Sequence, residues 1–275
     1  MDRRASLAVL FGKKEKQSTF KQKSASTAAV VTNTFNPYTG TWGMEQAAHL
    51  LRRTTFGPTY AQIKQAATDG LDATISLLFQ NQPLPDPPIY YDFENDPNAA
   101  LGETWVDAIF LPNIQGLRGA RRRSLFGWTF KQIRESGVNI TEKMTLFWHN
   151  HFVVASTNVP NRQYRYITFL RENALGNFKD LAKGITVDSA MLQYLNGTQN
   201  SKNAPNENYS RELLELFTIG KGELVGPGDY TNYTEDDVVE LARALTGWYI
   251  TVFKVKGYGI LIYFRENRQV AIYAL

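Results

Sequence analysis

The sequence predicts a mostly α protein: an irregular multi-helix domain with long loops, preceded by a disordered basic arm and followed by a β-prone tail. Three observations carry this. Segments with helical spacing, many opened by a capping residue, run from Met44 to Gly247. Strand-like alternation is scarce before residue 249. Apolar residues make up 43% and charged residues 20% of the 275 residues, which supplies a packed core and excludes wholesale disorder. The expected organisation is an arm and linker over 1–40, a helical domain over 41–248 and an atypical tail over 249–275, with no internal repeat.

The arm holds Arg3, Arg4, Lys13, Lys14, Lys16, Lys21 and Lys23 against Asp2 and Glu15, a net of +5 over residues 1–24. Arg3-Arg4 and the short apolar run after it read either as a degenerate export-like start or as a basic arm. A lysine cluster stands where small residues would mark a cleavage site. Residues 17–40 are rich in Ser, Thr, Ala and Asn and read as a linker. With few apolar anchors, residues 1–40 are expected to be disordered.

Helical signals begin at Met44. Thr59 and Gln62 form a capping box with Tyr60, Ile63 and Ala67 behind it, and Gly70 ends that helix. Asp72 is placed to cap the next, which presents Ile75, Leu78 and Phe79. Residues 81–100, with Pro83, Pro85, Pro87, Pro88 and Pro97, form a long extended connection of the kind that carries function. A helix is expected around Trp105 and Ile109, and another over Leu117–Glu135 with Leu125, Trp128 and Ile133 inward. Arg121, Arg122 and Arg123 are spread around that helix and read as a solvated or salt-bridged surface. Thr141 is expected to cap the segment running to Val154, a helix follows Pro160, and Asp188 caps the next. Pro205 sits at the start of a helix ending at Gly220. Thr234 and Asp237 open another that ends at Gly247. Val252, Val255, Ile260, Leu261, Ile262, Tyr263 and Phe264 then give the tail its β-propensity.

Composition excludes several functions. There is no cysteine, so no disulfide scaffold, zinc ribbon, iron–sulfur site or thiol catalysis. The net charge of +4 belongs to the two ends, since the tail over 251–275 adds +3 and the body between carries −4; no nucleic-acid footprint is expected. No apolar stretch reaches the roughly 20 residues of a membrane helix, so no transmembrane segment is expected. No phosphate loop, nucleophile elbow or H-E-x-x-H occurs, and Gly220–Gly228 lacks the ending and the preceding strand of a P-loop.

Two clusters could carry chemistry. His149 and His151 lie within WHNHF. On a regular helix i and i+2 point about 200° apart and cannot share a metal, whereas on a strand or an unwound end they can. They read either as partly buried core histidines or as metal or acid/base groups. In Asn206–Leu216, the residues Asn208, Arg211, Glu212 and Glu215 form a polar stripe, and Tyr209, Leu213, Leu216 and Gly220 an apolar one. Glu207–Arg211 and Arg211–Glu215 are i, i+4 opposite-charge pairs, which read as a salt-bridged face or as Arg211 holding Glu212 for ligand or base duty. Upstream, Asn196, Asn200, Asn203, Asn206 and Asn208 make a loop suited to Asx-turns, or to offering oxygens to a sugar or hard cation. Asn139, Asn196, Asn208 and Asn232 stand in glycosylation sequons, which matter only in a glycosylating host.

Four segments occur in a telling order: HLLRRTTFGPT (His49–Thr59), EKMTLFWHNHFVV (Glu142–Val154), NENYSRELLELFTIG (Asn206–Gly220) and YTEDDVVELARALTGW (Tyr233–Trp248). Together, from about Met44 to Trp248, they resemble the bacterial domain of unknown function 1800 family. The family is large and uncharacterised; the resemblance implies a mostly helical protein, often from exported or cell-envelope contexts, and brings no established activity. It also implies histidine at the position of Phe217 in some relatives, and further sequence after Gly247-Trp248. The tail here does not look like that continuation, which reads as a C-terminal truncation or a shifted frame.

The resulting expectation is a ligand- or metal-binding helical domain with hydrolytic chemistry as an option. Its site would combine His149, His151, Glu207, Arg211 and Glu212, with His149, His151 and Glu212 as ligands of a divalent metal. The alternatives are an envelope or interaction protein whose polar network is purely structural, and a nonfunctional truncated remnant. The segment around His149–His151 is expected to pack on Asn206–Gly220, because both are aromatic-rich with a polar minority that needs partners.

Overall fold

The computed structural model describes residues 36–155, 157–227, 229–255 and 258–265, with the side chains of Tyr230 and of 251–265 excluded. The expected disorder over 1–40 therefore lies almost wholly outside the described residues, as does the end of the tail. The chain divides into two compact units, residues 1–41 and 42–275. In the first, the Tyr38 hydroxyl donates to the Thr41 carbonyl (2.9 Å). The second holds ten α-helices and two two-stranded hairpins among the described residues, so the protein is mostly α.

Helices α1 (Met44–Thr54), α2 (Tyr60–Asp69) and α3 (Leu71–Leu78) close on Ala47, Leu51, Ile63, Ala66 and Leu78. The Thr59–Gln62 capping box forms in both directions (2.8 and 3.2 Å). Asp72 does not cap α3. The helix starts directly after Gly70, whose φ of 90° lets the chain turn from one helix into the next within one residue. Tyr60, Ile75 and Phe79 face solvent, because these short helices bury only one stripe each.

No helix forms around Trp105 and Ile109; the segment is a series of turns. Trp105 is fully buried and donates to the Ser124 hydroxyl (2.9 Å), so it anchors a loop rather than a helix face. The loop is held by Arg121, which the sequence placed at the surface and the fold buries completely. Its Nη2 donates to Asp96 (2.5 Å), its Nε to the Tyr90 hydroxyl (2.8 Å), and its Nη1 to the Ala108 carbonyl (2.9 Å) and the Asn161 side chain (2.8 Å). A long buried loop leaves carbonyls that need donors, and a guanidinium supplies five. Its helix is α4 (Leu117–Glu135), where Leu125 and Trp128 point inward as expected.

Helix α5 (Thr141–His151) is opened by Asn139 rather than by a Thr141 cap: Asn139 accepts from the Thr141 N–H and donates to the Gln80 carbonyl, both at 2.8 Å. Helix α6 (Pro160–Glu172) begins on its proline. Helix α7 (Phe178–Thr186), absent from the sequence reading, is capped by Asn177 (2.9 Å), and its Gly184 admits the Phe169 ring where a Cβ would collide. Helix α8 (Ser189–Tyr194) carries the expected Asp188 cap, which accepts from Ala190 (2.8 Å) and Met191 (3.2 Å).

Burial pushes the Asp188 carboxyl up to about 6, against the lowering pull of those backbone donors and of Arg162. The folded state therefore binds this proton more tightly than the unfolded chain. Stability from this group is present below pH 3.8 and is lost as pH rises to about 6; the difference corresponds to roughly 3 kcal/mol. Asp188→Asn keeps a capping acceptor without the charge. It should flatten that slope and stand above the parent in urea unfolding at pH 7; a parent whose stability rises between pH 4 and 6 with no slope change in the variant contradicts this.

Helix α9 (Glu207–Glu212) is capped by Asn206 and runs on as a π-turn over Leu213–Phe217. The extra residue of a π-turn shifts the register, so Phe217 enters the core and Leu216, expected there, is 57% exposed. The hairpin β1 (Leu224–Gly226) and β2 (Asp229–Tyr230) leads to α10 (Glu235–Ala244), with its Thr234–Asp237 capping box. Strands β3 (Trp248–Val255) and β4 (Tyr258–Arg265) pair antiparallel from Trp248↔Arg265 to Val255↔Tyr258. The β-prone tail is thus a hairpin, its start tied by the Gly247 N–H to the Asn200 carbonyl (3.1 Å). Phe152, Tyr166, Leu170, Ile185, Tyr209 and Phe217 belong to the buried cluster joining α6–α9.

Candidate functional site

The segment holding His149 and His151 does pack on the 206–220 segment, through the Phe152 and Phe217 rings (centroids 5.9 Å apart) and through one histidine on a backbone carbonyl. His151 Nε2 lies 2.9 Å from the Phe217 carbonyl oxygen, and its ring is edge-on to Trp148, Phe152, Phe178 and Phe217. His149, two positions back in a regular helix, turns to Tyr166, with ring centroids 5.6 Å apart, and burial lowers its pKa. Arg211 faces elsewhere: its Nη1 and Nη2 donate to the two Glu235 oxygens at 2.7 and 2.6 Å, tying α9 to α10. That pairing raises the Arg211 pKa and lowers that of Glu235.

The expected i, i+4 pairs give way to bonds between elements. Glu215 accepts from the Tyr233 hydroxyl (2.8 Å) and lies 3.6 Å from the Lys221 ammonium. Glu207 is an exposed electrostatic neighbour of Arg211, and Glu212 is half-buried at the start of the π-turn. The hydrogen bonds of His151 and Arg211 share no residue. Among the described residues no three His, Cys, Asp and Glu side chains form a group able to hold a metal. In the asparagine loop, Asn200 donates to the Ala242 carbonyl (2.9 Å) and Asn206 to those of Leu195 and Asn196 (3.0 and 3.1 Å), locking the turn.

A cleft of about 470 Å³ opens on another side of the domain. The ends of α4 and α6, the start of α5 and the extended residues 81–85 line it. Two bonds hold the extended wall: Asn139 donates to the Gln80 carbonyl (2.8 Å) and Trp128 Nε1 to the Asp86 carbonyl (2.6 Å). Arg171 is the buried charged lining residue, with its side chain 4% exposed. Its Nε and Nη2 donate to the two Glu142 oxygens at 2.7 and 2.8 Å, and its guanidinium carbon sits 4.7 Å from the Trp128 ring centroid. Its Nη1 is buried and has no hydrogen-bond partner among the described residues. Glu172 lines the same cleft with its pKa raised by partial burial, and Glu135, Ser136 and Gln132 come from the end of α4.

The profile of the family Protein of unknown function (DUF1800) matches residues 49–271. The chain belongs to this family. The DUF1800 match carries past Trp248, where the four motifs stopped, and takes in the β3–β4 hairpin. No curated protein and no solved structure matches the chain.

The sequence reading of this DUF1800 chain missed Glu142, Arg171 and Glu172 as site residues. Glu142 stood at the head of a recognised motif. Arg171 and Glu172 are one charged pair among many at a helix end, and only the approach of α5 to α6 sets them in a cleft. The one legible signal was the proline-rich connection, flagged as a place for function, which became the cleft wall.

Proposed function

We propose that this chain is a ligand-binding helical domain and that the cleft at the ends of α4 and α6 takes a small, polar, non-anionic ligand. The observation that carries the reading is Arg171. A buried guanidinium with an unpartnered Nη1 is a donor that native proteins rarely leave open. A ligand oxygen in the cleft would satisfy that donor once a small rotation of the Arg171 side chain turns it outward. The three lining carboxylates Glu135, Glu142 and Glu172 face a single guanidinium already committed to Glu142, which disfavours phosphates and carboxylates. Both Glu142 oxygens accept from Arg171, which supports binding over hydrolysis at that carboxylate.

A thermal-shift screen of neutral sugars, amines and small anions should raise the melting temperature with hydroxylated or amine compounds only. Ser136→Trp, which fills the cleft from its α4 side, should abolish the shift. No stabilising compound in the panel, or a shift that Ser136→Trp leaves intact, overturns the reading.

For His149, His151, Glu207, Arg211 and Glu212 we propose the structural role weighed in the sequence. The Arg211–Glu235 pair and the His151–Phe217 contact, both between elements, favour it.

A further inference from the structure

Glu172 is the last residue of α6 and Glu135 the last of α4, and both line the cleft. A helix C-terminus carries the equivalent of about half a negative charge from its free carbonyls. A glutamate there is unfavourably placed, because like charge meets like. Two helices ending in this way at one cleft give it a negative rim.

The rim is only partly neutralised. Arg171, next to Glu172 in sequence, donates its Nε and Nη2 to Glu142 and rests on Trp128. Glu135 pairs with Arg134 at 2.7 Å, but the Arg134 side chain is 77% exposed, so solvent screens the pair. Glu172 has no hydrogen bond or ion pair among the described residues, and only burial acts on its pKa, raising it.

We propose that the cleft is an amine site: its ligand carries a primary ammonium that pairs with Glu172, and hydroxyl or carbonyl oxygens that face Arg171. An amino sugar or an amino alcohol is the chemical class that combines the two. The inference rests on the reading of the cleft as a binding site and adds which ligand it selects and which residue selects it. An organic ammonium fits better than a divalent ion. The lining carboxylates are not gathered into a three-ligand group, and an ammonium does not require fixed coordination geometry. The Arg171 floor asks for a neutral oxygen, because a ligand carboxylate would meet the negative rim.

Isothermal titration of the full chain with D-glucosamine, D-glucose and calcium chloride tests this. Glucosamine should bind about threefold more tightly than glucose, as expected for one ion pair at an exposed carboxylate. The advantage should shrink with about 0.5 M salt and vanish in Glu172→Gln, which changes an exposed residue and keeps the melting temperature. Equal affinities for the two sugars, both abolished by Ser136→Trp, overturn the amine assignment and leave the cleft as a binding site. Glucosamine binding that survives Ser136→Trp overturns the location. Calcium bound more tightly than either sugar and lost in Glu172→Gln makes the site a metal site and overturns the amine. Binding of neither sugar also overturns it, and the wider panel then decides whether the cleft binds anything.

Discussion

Replacing Asp96 by alanine is expected to cost about 3–5 kcal/mol of folding free energy, because it strands the Arg121 charge in the interior. Both side chains of this pair are fully buried, with the Arg121 nitrogen 2.5 Å from the carboxylate. The Tyr90 hydroxyl donates to the same oxygen (2.6 Å), and burial raises its pKa, so the phenol stays a neutral donor. The guanidinium also holds the Ala108 and Ile109 carbonyls (2.9 and 3.2 Å), so an unbalanced charge there loosens the whole connection between α3 and α4. A loss of this size is a large share of the stability of an ordinary domain. Asp96→Asn, which keeps acceptor capacity, should cost clearly less. Urea unfolding with an unchanged m-value measures both. A loss under about 1 kcal/mol for the alanine variant would mean that water reaches Arg121 and that the buried network is not what fixes the loop.

Glu142→Ala should be the second most damaging single change, at about 3 kcal/mol, by the same mechanism at the cleft floor. Arg171 is 4% and Glu142 12% exposed, so the pair is desolvated and each partner depends on the other. For a protein of this size, each kcal/mol shifts the melting temperature by roughly 2–4 °C, which puts the expected drop near 6–12 °C by calorimetry. Glu142→Gln, able to accept one of the two bonds, should fall about midway. The alanine variant should also lose whatever the cleft binds, since the Trp128 ring alone then holds the guanidinium. A stable alanine variant that still binds would show the pair to be incidental.

What the sequence made legible was local. The Thr59 and Thr234 capping boxes, the Asp188 cap, the proline opening α6 and the limits of α4 depend on residues within one or two turns, and all stand where spacing placed them. What it hid depended on distant partners. Arg121 reads as surface because two more arginines follow it, yet Tyr90 and Asp96, some 25–31 positions away, bury it. Leu216 looked like a core residue until the π-turn advanced the register and put Phe217 in its place. The apolar spacing at Trp105 mimicked a helix because a buried loop must also carry large side chains. The cleft was the least legible feature: Glu142 and Arg171 are 29 positions apart, and neither motif nor charge pattern links them.

The clamped wall over residues 81–85 has a consequence for how occupancy would be felt by the rest of the molecule. Freezing a flexible segment takes about 1–2 kcal/mol per residue of backbone freedom. Here the Asn139 and Trp128 bonds pin the two ends of the segment when the chain folds, and Pro83 and Pro85 restrict it between them, so less freedom is left to lose at each encounter. Those anchors sit between α3 and α5 and on α4, inside the packed domain. The wall is therefore tied at both ends to packed helices: occupancy would be felt by the fold through those anchors, and the site reports on the integrity of the three helices that frame it.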